Sequence, residues 1–194
     1  MKIYILRHED RTQDCSLFAP LTKNGLLRAE KLVSLLEGVK IDIVFSSPFI
    51  RTLQTIEPYL KETQRKVNIE YSLSEINHAD LIPKKAIGMY LPEYIAENYN
   101  YNPDYNSFIK PTDIIYPEQF KHVDIRFKKF LGELFNEYIK KDKTILLVTH
   151  QSMCCSVLNI VNKYNKLDEE VINNYPTGQL TLVYSDNWTY KPIK

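Results

Sequence analysis

The feature that most restricts the fold of this chain is an alternation of short apolar segments with longer amphipathic ones. Residues 2–6, 41–45 and Thr144–Thr149 are apolar runs of strand length, rich in Ile, Val and Leu. Each run is followed, after turn residues, by a stretch whose apolar residues recur at helical spacing. Strands that alternate with helices predict an α/β fold, here a three-layer sandwich with a mostly parallel central sheet flanked by helices.

Helix-start and helix-stop residues locate the individual elements. Thr22 is the predicted N-cap of a helix with apolar residues over 26–36, and Gly38 is its predicted C′ residue. A Ser-Ser-Pro sequence predicts a helix over 49–61, with Pro48 at its first position. The further predictions are a strand over 67–71, a helix over 117–139 with Phe120 on its buried face, a helix over 152–164, and a hairpin of 179–184 with 188–191.

Length and composition predict one soluble globular domain over residues 1–194, with an insertion or lid at about 79–116 that is rich in Tyr and Asn. The formal net charge of +1 gives no reason to expect a nucleic-acid or membrane-surface partner. No apolar stretch approaches the roughly 20 residues needed to cross a bilayer. Cys15, Cys154 and Cys155 are odd in number and are predicted to be reduced thiols, which favours a cytoplasmic location.

Two of the four histidines stand directly after the two clearest strands. His8 follows the first strand together with Arg7, and His150 follows Thr149. In open α/β sheets, ligands bind at the carboxyl ends of the strands. Arg51 is expected in the first turn of its helix, where a cation opposes the helix dipole unless both face an anion. These residues predict an anion site, and a phosphate suits two guanidiniums and two imidazoles.

Each of these residues also has a structural alternative. Arg7 can form a buried ion pair, Arg51 can be a solvated surface residue, and His150 can be a hydrogen-bonded core histidine. A neutral imidazole can act as a nucleophile, and phosphoryl transfer then needs an acid for the leaving oxygen. Glu75, just after the third predicted strand, is the candidate acid, with a surface glutamate as its alternative. The spacing around His8 matches no HExxH or CxxC metal pattern, and no serine-hydrolase elbow or Gly-rich phosphate loop occurs.

Several motifs follow one another along the chain. They are Arg7-His8 after the first strand, PLTxxGxxxA over 20–29, SSPxxRxxQT over 46–55, LxE ending at Glu75, Val148-Thr149-His150, and Tyr116-Pro117-Glu118 with Arg126. Together they resemble the histidine phosphatase superfamily, also called the phosphoglycerate mutase-like family. The resemblance covers nearly the whole chain, and the segment 79–116 is its least matched part.

The resemblance implies a role for each candidate residue. His8 would be the nucleophile that becomes phosphorylated and Glu75 the proton donor, while Arg7, Arg51 and His150 would form the phosphate pocket. It implies no metal and no other cofactor, and a substrate that is a phosphorylated small molecule or a phosphoprotein. The expected function is therefore that of a metal-independent phosphomonoesterase with a phosphohistidine intermediate. A phosphoglycerate mutase-type phosphotransferase and a non-catalytic phosphate-binding module of the same fold are the alternatives.

The chain departs from the family pattern in its loops. Glu9 stands directly after the expected nucleophile, where the family nearly always has Gly, and Gln151 replaces a common Gly after the second histidine. A carboxylate at position 9 would repel a phosphate unless it were turned away or paired with an arginine. The loop over 9–19 lacks the Asn- and Gly-rich stretch with which mutases handle their substrate, so hydrolysis is favoured. The segment 79–116 is expected to cover the site, with a mobile solvated loop as the alternative.

Overall fold

A computed structural model describes residues 1–80, 90–167 and 174–193. Its strands are β1 (Lys2–Arg7), β2 (Ile43–Ser46), β3 (Val67–Ile69), β4 (Thr144–Thr149), β5 (Leu180–Tyr184) and β6 (Thr189–Ile193). Within the described residues these strands form one sheet in the order β3-β2-β4-β1-β5-β6. The first four pair parallel, and β5 and β6 are added antiparallel at one edge. The prediction of an α/β fold with a mostly parallel sheet is confirmed.

Helices flank the sheet on both faces. They are α1 (Lys23–Leu35), α2 (Ile50–Thr63), the single-turn α3 (Glu93–Ala96), α4 (Phe120–Tyr138) and α5 (Gln151–Tyr164). Alternate residues of β1 face opposite sides of the sheet. Tyr4 and Leu6 pack with residues of α1 and α2, whereas Ile3 and Ile5 pack with residues of α4 and α5. Nowhere in the described ranges is there a helix both long enough and apolar enough to cross a membrane.

The boundaries of α1 bear out its predicted start more closely than its predicted end. The Thr22 hydroxyl accepts a hydrogen bond from Gly25 N at 3.0 Å, as expected for an N-cap. The helix ends at Leu35 with Leu36 as the C-cap. With Leu36 as the C-cap, Glu37 occupies the C′ position, and Gly38, with φ of +77°, lies one residue beyond it, contrary to the prediction. It still supplies a left-handed conformation as the chain leaves the helix.

Pro48 is not the first residue of α2, contrary to the prediction. The helix begins at Ile50, with Phe49 as its N-cap residue. Ser47 N donates a hydrogen bond to the Val148 carbonyl at 3.0 Å, so Ser47 continues the pairing with the neighbouring strand. Because this pairing extends past the end of β2, the helix starts only after Pro48.

Two predictions about other elements, the helix α4 and the strand β3, are also wrong. Phe120 is 61% exposed, because it is the first residue of α4 and does not reach the sheet. The third strand ends at Ile69, because the buried Glu70 carboxylate accepts a hydrogen bond from Ser72 N at 2.7 Å and starts a 3-10 turn over Tyr71–Leu73. The predicted α4, α5 and C-terminal hairpin are confirmed to within three residues at each boundary.

Residues 79–80 and 90–116 are the described part of the predicted insertion, and residues 90–116 attach beside β3. Their main anchor is the buried carboxylate of Glu70. It accepts hydrogen bonds from the Tyr105 hydroxyl at 2.5 Å and the Ser107 hydroxyl at 2.8 Å. Residues 81–89 of the predicted insertion lie outside the described residues. That the insertion covers the site stays a prediction.

Candidate active site

The parallel register of β1 and β4 brings the two strand-end histidines together. Arg7 is paired with Thr149, and His8 N donates to the Thr149 carbonyl at 2.9 Å. His8 directly follows Arg7, and His150 directly follows Thr149. The centroids of the two imidazole rings are 5.2 Å apart. Both are buried, with 2% of His8 and none of His150 exposed. The structure thus places the two predicted site histidines in contact.

The backbone next to His8 decides which ring nitrogen is free. Nδ1 lies 2.7 Å from the Glu9 carbonyl oxygen. Since a carbonyl oxygen only accepts hydrogen bonds, Nδ1 carries the proton and Nε2 keeps its lone pair. Burial, and next the positive charge of Arg51, hold the pKa of His8 well below its ordinary value of 6.5. The ring is therefore neutral near pH 7, as a nucleophile must be.

His150 is fully buried between Ser47 and Glu75. Its Nε2 is 2.8 Å from the Ser47 hydroxyl oxygen. Its Nδ1 is 3.8 Å from Glu75 Oε2 and makes no hydrogen bond within the described part of the chain. Burial, followed by the charge of Arg51, also keeps the pKa of His150 well below 6.5. A neutral His150 offers hydrogen bonds and packing to its neighbours, but no positive charge.

Arg7 and Arg51 contribute guanidinium groups whose donors are only partly satisfied. Arg7 Nη1 donates to the Tyr175 carbonyl. Arg51 is 1% exposed; its Nη1 donates to the Ser16 carbonyl at 2.9 Å, and its guanidinium lies 4.3 Å from the Phe49 ring centroid. The Nε–H of each arginine is buried and makes no hydrogen bond to any residue that the structure describes. An unpaired buried donor costs about 1–3 kcal/mol, so both arginines suit a site that an anion completes.

Glu75 presents one of its two carboxylate oxygens to His150. Its Oε1 accepts hydrogen bonds from Ile76 N at 3.0 Å and from the Ser152 hydroxyl at the start of α5. Its Oε2 faces His150, and the side chain is 20% exposed. Because Oε1 already has two donors, Oε2 is the oxygen that is available to carry a proton. The structure therefore places the predicted acid beside the histidines.

A buried ion pair supports the chain that carries Glu75. Arg126 donates to both carboxylate oxygens of Glu118, from Nε at 3.0 Å and from Nη2 at 2.9 Å. Its Nη1 donates to the carbonyls of Ser72 at 2.7 Å and Ser74 at 3.0 Å. Since these carbonyls lie just before Glu75, the same guanidinium holds both Glu118 and the chain that leads to the predicted acid. The sequence showed Glu118 and Arg126 only as part of a resemblance.

The carboxylate of Glu9 is paired with an arginine, which removes its expected repulsion of a phosphate. Its Oε2 lies 3.0 Å from Arg28 Nε, close enough for an ion pair although not aligned as a hydrogen bond. Its Oε1 lies against Gly178, where an added Cβ would be 2.0 Å away. Burial raises the pKa of Glu9, and the charge of Arg28 acts in the opposite direction.

A solvent-open cavity of about 340 Å³ lies at the predicted nucleophile. It is lined by Arg7, His8, Asp10, Arg11, Thr12, Gln13 and Thr177. Arg11 and Thr177 were not among the predicted site residues. Arg11 adds a positive charge that helps to lower the pKa of His8, and its place in the loop after the first strand was a usable signal. Thr177 gave no signal, because it arrives from a distant segment. Among the described residues, no group of three or more His, Cys, Asp or Glu side chains could hold a metal ion.

Comparison with known proteins identifies the family to which the chain belongs. The sequence matches the model of the histidine phosphatase superfamily (branch 1) over residues 3–187. The chain belongs to this superfamily. The adenosylcobalamin/alpha-ribazole phosphatase of Escherichia coli is 29% identical over 170 residues, which cover 79% of this chain and 75% of that protein. The transcription factor tau 55 kDa subunit of Saccharomyces cerevisiae is 30% identical over 144 residues, covering 68% of this chain but only 31% of that protein.

Solved structures share the fold. The ecdysone phosphate phosphatase of Bombyx mori, determined with tungstate, has a TM-score of 0.70 at 15% identity, covering 98% of this chain and 91% of that one. The alpha-ribazole phosphatase of Shigella flexneri has a TM-score of 0.65 at 20% identity, with coverages of 98% and 93%. The phosphoglycerate mutase of Bacillus anthracis has a TM-score of 0.69 at 17% identity, with coverages of 98% and 90%. The fold is phosphoglycerate mutase-like, and the family match supports an enzymatic role.

Proposed function

We propose that this protein is a metal-independent phosphomonoesterase that forms a phosphohistidine intermediate at His8. The observation that carries the proposal is the contact between His8 Nδ1 and the Glu9 carbonyl at 2.7 Å, because it leaves Nε2 free to attack. The unpaired Nε–H groups of Arg7 and Arg51 supply donors for phosphoryl oxygens. The phosphatases among the relatives support the same chemistry.

In the first proposed step, His8 Nε2 attacks the phosphorus of a phosphomonoester. The nitrogen–phosphorus bond forms while the bond from phosphorus to the ester oxygen breaks. The ester oxygen leaves with the bonding electrons and takes the proton from Glu75. Arg7 and Arg51 balance the negative charge on the other phosphoryl oxygens. Because these two guanidiniums supply the positive charge, the proposed reaction needs no metal ion or cofactor.

In the second proposed step, a water molecule attacks the phosphorus of the phosphohistidine. The Glu75 carboxylate takes a proton from this water. The nitrogen–phosphorus bond breaks, and its electrons return to Nε2 of His8. Inorganic phosphate is released, and Glu75 is protonated again for the next turnover.

We propose a small phosphorylated metabolite as the substrate, with a phosphoprotein as a variant of the same proposal. The cavity at His8 holds about 340 Å³, is open to solvent and has mostly polar lining residues, which suits a small polar phosphomonoester. The aromatic segment 90–116 would contribute to substrate choice. We also propose a cytoplasmic location, which the free thiols of Cys15, Cys154 and Cys155 support.

The test is phosphate release from an aryl phosphate and a panel of phosphorylated metabolites, with a chelator present throughout. Wild-type protein should be active and should carry an acid-labile phosphate after rapid quenching. His8→Ala should lose both the label and at least about a thousand-fold in kcat. His122→Ala, which removes an imidazole at the start of α4, is the matched control and should keep both.

The other outcomes separate the alternatives. Activity that survives His8→Ala would contradict the proposed mechanism. A wild-type protein that binds phosphate but hydrolyses no substrate would favour the non-catalytic module. Transfer of phosphate between the hydroxyls of phosphoglycerate, without net release, would favour the mutase.

A further inference from the structure

Glu9 and Arg28 form an ion pair that connects three segments around the site. Arg28, on α1, has its Nε 3.0 Å from Glu9 Oε2, and its Nη2 donates to the Thr177 carbonyl at 3.1 Å. Glu9 directly follows His8, and Thr177 lines the cavity at His8. The Glu9 side chain is 10% exposed, so its attraction to the guanidinium is only partly screened by water. One guanidinium thus connects α1 to Thr177 in the cavity wall and to Glu9, the residue between the lining residues His8 and Asp10.

Gly178 leaves the space that the Glu9 side chain occupies. A Cβ atom on Gly178 would lie 2.0 Å from Glu9 Oε1 and 2.5 Å from its carboxyl carbon. Gly178 also has a φ of +70°, a conformation that other residues rarely adopt. A glutamate at position 9 in this orientation is therefore compatible only with glycine at position 178. The two positions are complementary in shape.

The segment 175–178 in turn contacts the predicted nucleophile and a predicted phosphate ligand. Gly178 N lies 3.2 Å from the carbonyl oxygens of both Arg7 and His8. Arg7 Nη1 donates to the Tyr175 carbonyl. This bond helps to orient the guanidinium, whose buried Nε–H has no partner within the described residues. Whatever holds the segment 175–178 therefore also holds Arg7.

We propose that Glu9 and Arg28 are positioning residues: their ion pair holds the segment 175–178, and through it the Arg7 guanidinium, in the orientation that binds the phosphoryl group. The consequence for turnover rests on the proposed function. The consequence for oxyanion binding does not, because vanadate or phosphate can bind without any reaction. A glycine at position 9 could not form this ion pair.

The first test compares Glu9→Gln and Arg28→Gln with the wild type. Vanadate binding is measured by calorimetry, and hydrolysis of an aryl phosphate by steady-state kinetics. Glu9→Gln removes the charge but keeps the side-chain length and the carbonyl that orients His8. We expect both variants to bind vanadate about three- to ten-fold more weakly and to show a similar rise in KM, with kcat changed by less than about two-fold. Glu30→Gln, exposed on the same helix, is the matched control and should behave as wild type.

The second test uses thermal unfolding to examine the fit between positions 9 and 178. Gly178→Ala should lower the unfolding temperature, because its methyl group meets the Glu9 carboxylate. The same substitution should cost less in a Glu9→Gly background, where the carboxylate is absent and only the left-handed φ opposes alanine.

Two results would overturn the positioning proposal. One is vanadate binding in Glu9→Gln and Arg28→Gln that equals the wild type. The other is a Gly178→Ala substitution that lowers the unfolding temperature as much in a Glu9→Gly background as in the wild type, because Glu9 would then not lie against Gly178. If the wild type binds vanadate but hydrolyses nothing, the proposed function fails, whereas weaker vanadate binding by Glu9→Gln still supports the positioning role.

Discussion

Replacing Arg126 by methionine should separate the stability of the fold from the placement of Glu75, the proposed catalytic acid. The guanidinium makes two hydrogen bonds to Glu118 and one to each carbonyl of Ser72 and Ser74, all between 2.7 and 3.0 Å. Arg126 is 8% exposed and Glu118 is 2% exposed. Arg126→Met keeps much of the buried side chain but leaves the Glu118 carboxylate without its guanidinium. Asn77 N, at 2.9 Å from Glu118 Oε2, would still donate to that carboxylate.

The expected loss of stability follows from leaving this charge buried. Removing one partner of a buried ion pair typically costs about 3–5 kcal/mol, against a total stability of about 5–15 kcal/mol. We expect urea unfolding to show a loss of that size in Arg126→Met. The double variant Arg126→Met/Glu118→Gln buries no charge and should regain roughly half of it. Lys128→Met, on an exposed position of the same helix, is the control and should change the free energy of unfolding by less than about 0.5 kcal/mol.

Catalysis should not recover together with stability. Both variants lack the donor to the Ser72 and Ser74 carbonyls, so the chain that carries Glu75 can shift. A displacement of about 1 Å in a catalytic group can cost about a hundred-fold in rate. We expect kcat to fall at least about ten-fold in both variants, measured well below their unfolding temperatures. The loss should be larger on an alkyl phosphate than on an aryl phosphate, because a more basic leaving oxygen depends more on the proton from Glu75.

Two results would refute this reasoning. The first is a change of less than about 1 kcal/mol in the unfolding free energy of Arg126→Met, which would mean that the buried charge is not left uncompensated. The second is wild-type kcat in the double variant, which would mean that the ion pair does not position Glu75.

Gly25→Ala should destabilise the protein although alanine favours helices, because its Cβ would lie 2.1 Å from the Asp10 carbonyl oxygen. Gly132→Ala, whose Cβ meets nothing within 4 Å, should instead stabilise α4 by about 0.5–1 kcal/mol in urea unfolding, so effects of the same sign would contradict this account. The pKa values of His8 and His150 lie below 6.5 in the folded protein, so at acidic pH the unfolded chain binds more protons. Stability present above about pH 6.5 should therefore be lost as the pH falls towards the folded pKa values, by up to about 1.4 kcal/mol per pH unit for each histidine. His150→Gln should reduce this slope, and an unfolding free energy that stays constant from about pH 7 to about pH 5.5 would contradict the prediction.

Much of the fold could be predicted because its signals are local. The apolar runs of β1 and β4 are buried on both faces of the sheet, so they stand out from the amphipathic stretches around them. Since parallel strands end at the same edge, the same pattern indicated that His8 and His150 would lie close together. The start of α2 was less predictable. The Ser-Ser-Pro sequence indicates a helix start at Pro48, but Ser47 still pairs with the neighbouring strand β4, and this delays the helix.

The direction of individual side chains depends on residues far away in the sequence. Nothing in the sequence next to Glu9 indicates that its carboxylate pairs with Arg28 and fills the space beside Gly178. In the same way, Thr177 reaches the cavity from the other end of the chain. The family pattern supplied an expected glycine at position 9, but not the ion pair that compensates for its absence.

The sequence by itself determined the α/β fold and the strand ends that carry the two histidines. It could do so because hydrophobic spacing and turn residues act between near neighbours. Only the tertiary structure decided the ion pair of Glu9 with Arg28 and the support of Glu75 by Arg126. It also decided how strongly burial lowers the pKa of His8. These properties depend on distances and shielding between segments that come together only when the sheet and its helices have packed.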